Sequence, residues 1–215
     1  MRIIRTHEDI EAGIEGLLML DARLVHVVER AGPVPLRRSE PGYRGIAHII
    51  VSQMVSKASA EAIWARMETA VGGAVTAETM LALSDERCRE AGLSRAKADA
   101  LRKVAASVLD GTLDLDAVCD MEAKQAIAEM THIRGVGRWT AEVYLLFCAG
   151  HPDVFPVGDV ALQSGIGHAF GLEVRPNARE LDDLVPAWSP WRSIAARLFW
   201  AYYAREMGRS GAPVT

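Results

Sequence analysis

Cysteine is scarce in this chain. Cys88, Cys119 and Cys148 are the three among 215 residues, far apart and without a CxxC pair. That excludes a disulfide framework and a cysteine-built zinc site, and it fits reduced thiols in a cytoplasm. Six histidines are present, none in an HExxH or similar ligand spacing. No apolar run approaches the ~20 residues that cross a bilayer, and the first residues do not resemble a secretory signal. Strand-like alternation is weak, and there is no internal repeat or low-complexity linker. A cytoplasmic protein with no membrane partner is expected. What remains is ordinary for a globular chain: 50% hydrophobic and 24% charged residues. The length allows one large domain or two small lobes with a substantial core.

The formal net charge is −4, whereas a nucleic-acid binder usually carries a basic face. The charges are segregated, however. Arg134 and Arg138 flank a glycine turn with only Glu142 nearby, and Arg95, Lys97, Arg102 and Lys103 share a stretch with only Asp99. Acidic residues gather at Glu8, Asp9 and Glu11, over 110–120, and over 180–183. A basic face on an acidic body is compatible with that pattern.

Helical periodicity runs through nearly the whole sequence and predicts an all-α fold. One helix is expected over 8–30, ending before Gly32-Pro33, and an apolar one over 42–54. Ser56 or Ser59 opens the next, which stops at Gly72-Gly73. Thr76, Ser84, Ser94 and Asp114 mark further starts, the Ser94 helix running over 95–109. Helices are expected over 121–130, 138–149, 160–170, 177–185 and 189–207, with a frayed tail over 208–215.

The richest stretch is Ile133-Arg134-Gly135-Val136-Gly137-Arg138-Trp139-Thr140-Ala141. Gly135 and Gly137 permit φ > 0 and close backbone approach. The following helix aims unpaired N–H groups and its positive dipole end at whatever sits there, and an anion such as phosphate suits that place. By itself, the Gly-x-Gly is better read as a tight turn between packed helices. The arginines and the Thr140 hydroxyl strengthen the phosphate reading. Downstream, Phe155-Pro156-Val157-Gly158-Asp159 places one carboxylate before an apolar segment. It reads as a helix cap and equally as an ionised group able to stabilise a cationic sugar centre or orient water. Of five tryptophans, Trp64 and Trp200 read as core. Trp139 and the corner Trp188-Ser189-Pro190-Trp191 read as walls for a flat base. Gln53-Met54-Val55-Ser56-Lys57 ends an apolar helix, where Met54 or Ser56 is placed to occupy a vacated base stack.

Together these pieces resemble the helix-hairpin-helix (HhH-GPD) base-excision DNA glycosylase superfamily, the DNA-3-methyladenine glycosylase II branch above all. The likeness rests on Ile50-x-x-Gln53, Gly92-Leu93-Ser94-x-x-Lys97-Ala98, the hairpin, the Asp159 loop and Trp188-Ser189-Pro190-Trp191-Arg192, over about residues 42–205. It implies a two-lobed helical fold. One lobe spans 37–149 and contains the hairpin (about 125–149); the other combines 1–36 with 150–215. It implies Asp159 as the catalytic residue and Trp139 and Trp188 as base-pocket aromatics. Gly135, Gly137 and Thr140 become phosphate-holding positions, with Arg134 and Arg138 beside them. Met54 falls in the wedge region. The carbonyls of Thr131, Ile133 and Gly135 match those that hold a monovalent cation, Na+ or K+, and no other cofactor is implied. Trp139 stands where bifunctional relatives carry a lysine nucleophile, so base release without strand cleavage is expected. With no cysteine after Cys148, an iron–sulfur cluster is not expected, nor is the β-rich N-terminal domain of fuller members. The expected activity is excision of alkylated purines from damaged double-stranded DNA by a monomer. A glycosylase for a deaminated or oxidised base and a non-catalytic DNA-binding module stay open as alternatives.

Overall fold

The computed structural model describes residues 3–208 and Gly211, so the expected tail over 208–215 lies outside the described residues apart from Gly208 and Gly211. Among the described residues the chain is all-helical. The α-helices are α1 (His7–Leu20), α2 (Val25–Ala31), α3 (Tyr43–Ser52), α4 (Lys57–Val71), α5 (Ala77–Ala82), α6 (Asp85–Glu90), α7 (Arg95–Leu109), α8 (Leu115–Asp120), α9 (Ala123–Thr131), α10 (Arg138–Tyr144), α11 (Val160–Ala169), α12 (Ala178–Leu184) and α13 (Arg192–Met207). Their starts follow local chemistry. Ser56, Thr76, Ser84, Ser94, Asp114 and Asn177 each accept a first-turn N–H at the head of their helix, which satisfies donors that have no partner inside the helix. Gly72 ends α4 in the left-handed conformation.

The chain forms two compact units, one made of Ser39–Ala149 and the other of the residues up to Arg38 together with those from Gly150 onward. The Ser39–Ala149 unit is built around α10 and the single π-helical turn Leu145–Ala149 that continues it. Every residue from Thr140 to Ala149 is buried. Helices α3 and α9 pack on α10, and α3 also packs on α4 and α7. Ile46, Ile49, Ile50, Leu101, Val104 and Tyr144 are essentially inaccessible there. Removing a large side chain from such a core costs about 3–5 kcal/mol.

The discontinuous unit is centred on α13, buried without interruption from Ser193 to Trp200. Helices α1, α2 and α11 pack on it. α1 meets it through Gly13 and Gly16, where an added methyl group would collide with Ile194 and the Trp191 indole respectively.

Four boundaries differ from the sequence expectation. The helix over 8–30 is broken at Asp21, whose carboxylate accepts the Arg23 backbone N–H, grips the Arg23 guanidinium with both oxygens and takes the Trp188 indole N–H. A short 3₁₀ turn, Ala22–Leu24, fills the break. α3 stops at Ser52 because Gln53 is extended and Met54 left-handed. The helix after the hairpin changes from α to π at Leu145. α13 begins at Arg192, three residues late, where Asp153 holds the Arg192 backbone and side chain.

Candidate nucleic-acid interface and active site

In the Ser39–Ala149 unit, Ile133 to Gly137 turn the chain from α9 into α10. The Val136 N–H closes the turn on the Ile133 carbonyl at 2.9 Å. Gly135 sits at φ 106°, a conformation only glycine takes without strain. A Cβ there would lie 2.7 Å from the Ala100 Cβ on α7. Ile133 and Val136 are buried beneath the turn. Gly137, by contrast, has φ −89° and nothing within 4 Å of where a Cβ would stand. Among the described residues no side chain caps α10. Arg134 is exposed. Arg138 is also largely exposed, and its Nε donates to the buried Glu142 carboxylate at 2.8 Å, one turn on.

Thr140 departs from its expected role. Its side chain is buried, and its hydroxyl oxygen accepts the Gln53 side-chain N–H at 2.7 Å. The hydroxyl oxygen thus ties α10 to the end of α3. Ser56 departs too: its hydroxyl caps α4, accepting the Ser59 N–H and pairing with the Ser59 hydroxyl. Met54 is different. Its backbone is left-handed at φ 56° and its side chain is fully exposed. A non-glycine residue in that region is uncommon, and a fully exposed methionine there is a projecting apolar finger.

Lys97, read from sequence as part of a basic face, is only partly exposed. Its ammonium donates to the carbonyls of Val51 at 2.8 Å and Gln53 at 2.7 Å. Burial pushes its pKa below that of a free lysine. It serves as a C-cap of α3, favourably placed at the negative end of the helix dipole.

In the discontinuous unit, Asp159 stands at the head of α11, 7% exposed. Its Oδ1 accepts the Leu162 N–H at 3.0 Å and the Trp200 indole N–H at 3.2 Å. The loop that delivers it is fixed by Asp159 N–H to Pro156 O and by the Gln163 side chain to Val157 O. Trp200 is the site residue that sequence periodicity missed. It reads as core, and it is buried, but its N–H is spent on the carboxylate.

Trp188 is the reverse case and needs correction as a pocket wall. It is fully buried, its ring lies against Phe155 and Phe199 at centroid distances of 5.8 and 5.3 Å, and its N–H goes to Asp21. Both faces are spent on packing, so it is a core residue. Trp191 is seated on the Gly13/Gly16 face of α1. Asp153 holds the corner from outside, accepting from the Ser189 hydroxyl at 2.7 Å and from both ends of the Arg192 fork. Although burial pushes the Asp153 carboxyl up, these donors bring it below the usual carboxylate range. Trp139 is half-buried in the first turn of α10 and is the remaining aromatic of the two expected at the pocket. It belongs to the Ser39–Ala149 unit, whereas Asp159 and Trp188 belong to the other. Among the described residues no cluster of three histidine, cysteine or carboxylate side chains is arranged to hold a metal, and no helix is long and apolar enough to cross a membrane.

A model of the HhH-GPD superfamily of base excision DNA repair proteins matches residues 47–190, from α3 through the hairpin and Asp159 to the Trp188 corner. The chain belongs to that superfamily. The crystal structure of a DNA-3-methyladenine glycosidase from Bacillus halodurans is similar over 91% of this chain and 90% of its own, with 33% identity and a TM-score of 0.78. The Schizosaccharomyces pombe 3-methyladenine DNA glycosylase, solved in complex with abasic DNA, matches 90% of this chain and 95% of its own at 26% identity, with a TM-score of 0.80. An alkylbase DNA glycosidase-like protein from the same yeast is 27% identical over 198 residues, 89% of this chain and 93% of that protein. The HhH-GPD match spans both units, taking in the hairpin of one and the Asp159 cap of the other.

Proposed function

We propose that this HhH-GPD protein is a DNA glycosylase that removes alkylated purines, of the 3-methyladenine and 7-methylguanine type, from damaged duplex DNA. The observation that carries the reading is the buried Asp159 carboxylate, fixed by two donors on one oxygen at the head of α11, in a chain similar over nine-tenths of its length to 3-methyladenine glycosylases. In a purine methylated at N3 or N7 the base already carries positive charge. The C1′–N bond breaks with both electrons going to the base, which leaves neutral and needs no strong general acid. Positive charge develops at C1′ and O4′, and a carboxylate placed there stabilises it. Water then adds to C1′ and gives up its proton, leaving an abasic site and an intact strand.

The strand is held by the hairpin. The open backbone at Gly137 and the first-turn amides of α10 receive a phosphate, with Arg134 and Arg138 adding charge. Met54 fills the gap left by the everted nucleotide, and Trp139 offers an aromatic face to the base. The hairpin carbonyls suit a monovalent cation. Thr131 ends α9, so its carbonyl belongs to the unpaired last turn. Ile133 keeps a second lone pair beyond its bond to Val136, and all three donors are neutral oxygens. Such an ion, when bound, would add positive charge beside the gripped phosphate. Trp139 stands where bifunctional relatives carry a lysine nucleophile, and its indole offers no amine. We therefore expect no Schiff-base step and no strand cleavage.

The test is to incubate the protein with methylated DNA, separate the released bases by chromatography and assay nicking on its own. Asp159→Asn should lower excision by on the order of 10²–10³-fold and leave affinity for the same DNA nearly unchanged. Excision by that variant at the wild-type rate would refute the catalytic assignment.

A further inference from the structure

The loop that carries Met54 is held from two sides, and each tie has a mechanical consequence. The Gln53 carbonyl and the Met54 N–H belong to one rigid peptide plane. Lys97 donates to that carbonyl at 2.7 Å, and to the Val51 carbonyl at 2.8 Å. The plane from which Met54 departs is thereby set by a residue of α7, forty-four positions downstream. On the other side, the Gln53 side chain donates to the Thr140 hydroxyl at 2.7 Å. Thr140 lies in the first turn of α10, directly after the hairpin glycines. Directly after Gln53, which both ties engage, comes a methionine in a left-handed conformation with its side chain entirely in solvent. A left-handed non-glycine residue persists where its surroundings over-determine it, and here the surroundings are Lys97 and Gln53.

We propose that Lys97 and Gln53 form a clamp that holds Met54 in its projecting pose and in fixed register with the hairpin, making both positioning residues for base eversion. The inference deepens the reading of Met54 as the wedge and rests on it. Insertion then needs no ordering of the loop after the DNA is gripped, because the finger and the phosphate-binding turn approach as one rigid piece. An unclamped loop would have to find its pose during each eversion, at an entropic cost in the step that unstacks the base.

The test uses full-length protein and a duplex with a single N7-methylguanine flanked by 2-aminopurine, whose fluorescence rises on unstacking. The lesion is placed either opposite cytosine or opposite an abasic site, where eversion is easier. Lys97→Met should slow the fluorescence rise and single-turnover release about tenfold for the paired lesion, and markedly less for the lesion opposite the abasic site. Lys97→Arg should restore much of the rate. The double variant Lys97→Met/Met54→Ala should be no slower than Met54→Ala alone, since clamp and wedge act on one step. Gln53→Leu carries the same comparison if Lys97→Met does not fold. An equal loss on both duplexes, or additive effects in the double variant, would show a merely structural lysine and overturn the proposal. If Met54→Ala is slow while Lys97→Met and Gln53→Leu are fast, the clamp falls and the wedge stands. If Met54→Ala matches wild type, the wedge reading falls and the clamp with it.

Discussion

Asp159 receives two N–H donors on the same oxygen, and the two differ in what they allow to be tested. The Leu162 N–H is part of the α11 backbone and can be removed only by proline, which would also delete the buried leucine side chain. The Trp200 indole N–H is a side-chain donor. Trp200→Phe keeps an aromatic ring in the core and deletes only the hydrogen bond, with some loss of packing volume. A hydrogen bond to a charged group is worth about 1.5–3 kcal/mol. If that bond orients the catalytic carboxylate, kcat should fall about tenfold or more while KM for DNA stays put. Unchanged kcat, or a loss that appears equally in KM, would reduce Trp200 to packing. The contrast with Trp188 shows what sequence reveals about aromatic residues. Trp188, Trp191 and Trp200 are indistinguishable by periodicity. They are separated by partners far away in the chain: Asp21 for Trp188, the α1 glycines for Trp191, Asp159 for Trp200.

At the scale of the element, the hairpin gives its two glycines different jobs. Gly135 combines φ 106° with a site where an added Cβ would stand only 2.7 Å from the Ala100 Cβ. Gly135→Ala therefore suffers both backbone strain and overpacking, about 2–4 kcal/mol together, read as a lowered denaturation midpoint. Gly137 has an ordinary φ and open space around its missing side chain. Gly137→Ala should leave stability within about 0.5 kcal/mol and weaken DNA binding several-fold, because the methyl group stands where a phosphate would approach. If both variants lose stability alike, or if Gly137→Ala binds DNA like wild type, the division of labour is wrong. Helix starts were legible in the sequence because capping is local. Ser56, Thr76, Ser84, Ser94, Asp114 and Asn177 act on amides two or three residues away. The hairpin turn was legible for the same reason. Breaks made by distant partners were not. Asp21 interrupts an otherwise continuous amphipathic pattern, and Lys97 looks like surface charge until α3 is placed beside it. The Thr140 hydroxyl gives no sign in the sequence that the Gln53 side chain reaches it.

For the whole molecule, one unit is discontinuous in sequence, its N-terminal segment separated from the rest by the 111 residues of Ser39–Ala149. Bonds joining its two segments close a long loop, which makes them worth examining. Asp21 and Trp188 are 167 positions apart and meet at 3.0 Å inside that unit. The same carboxylate forks onto Arg23 at 2.9 and 2.8 Å. The Arg23 fork is the main cause of a pKa lowered to about 2 from the usual 3.8, with the indole N–H assisting against the burial that pushes the other way. The sign follows from proton linkage. Unfolded chains bind a proton at Asp21 near its ordinary pKa, and the folded protein resists doing so until lower pH. The stabilisation is thus complete above about pH 4 and drains away as pH falls toward 2. Asp21→Asn should destabilise the protein by about 1–3 kcal/mol near neutrality, since the Trp188 N–H keeps an acceptor but the Arg23 fork loses its charge. The gap between variant and wild type, measured by chemical denaturation across a pH series, should narrow as the acid limit is approached. A gap that stays constant from neutral to acid pH would mean the bond acts through packing at the α1–Trp188 junction rather than through the charge on Asp21.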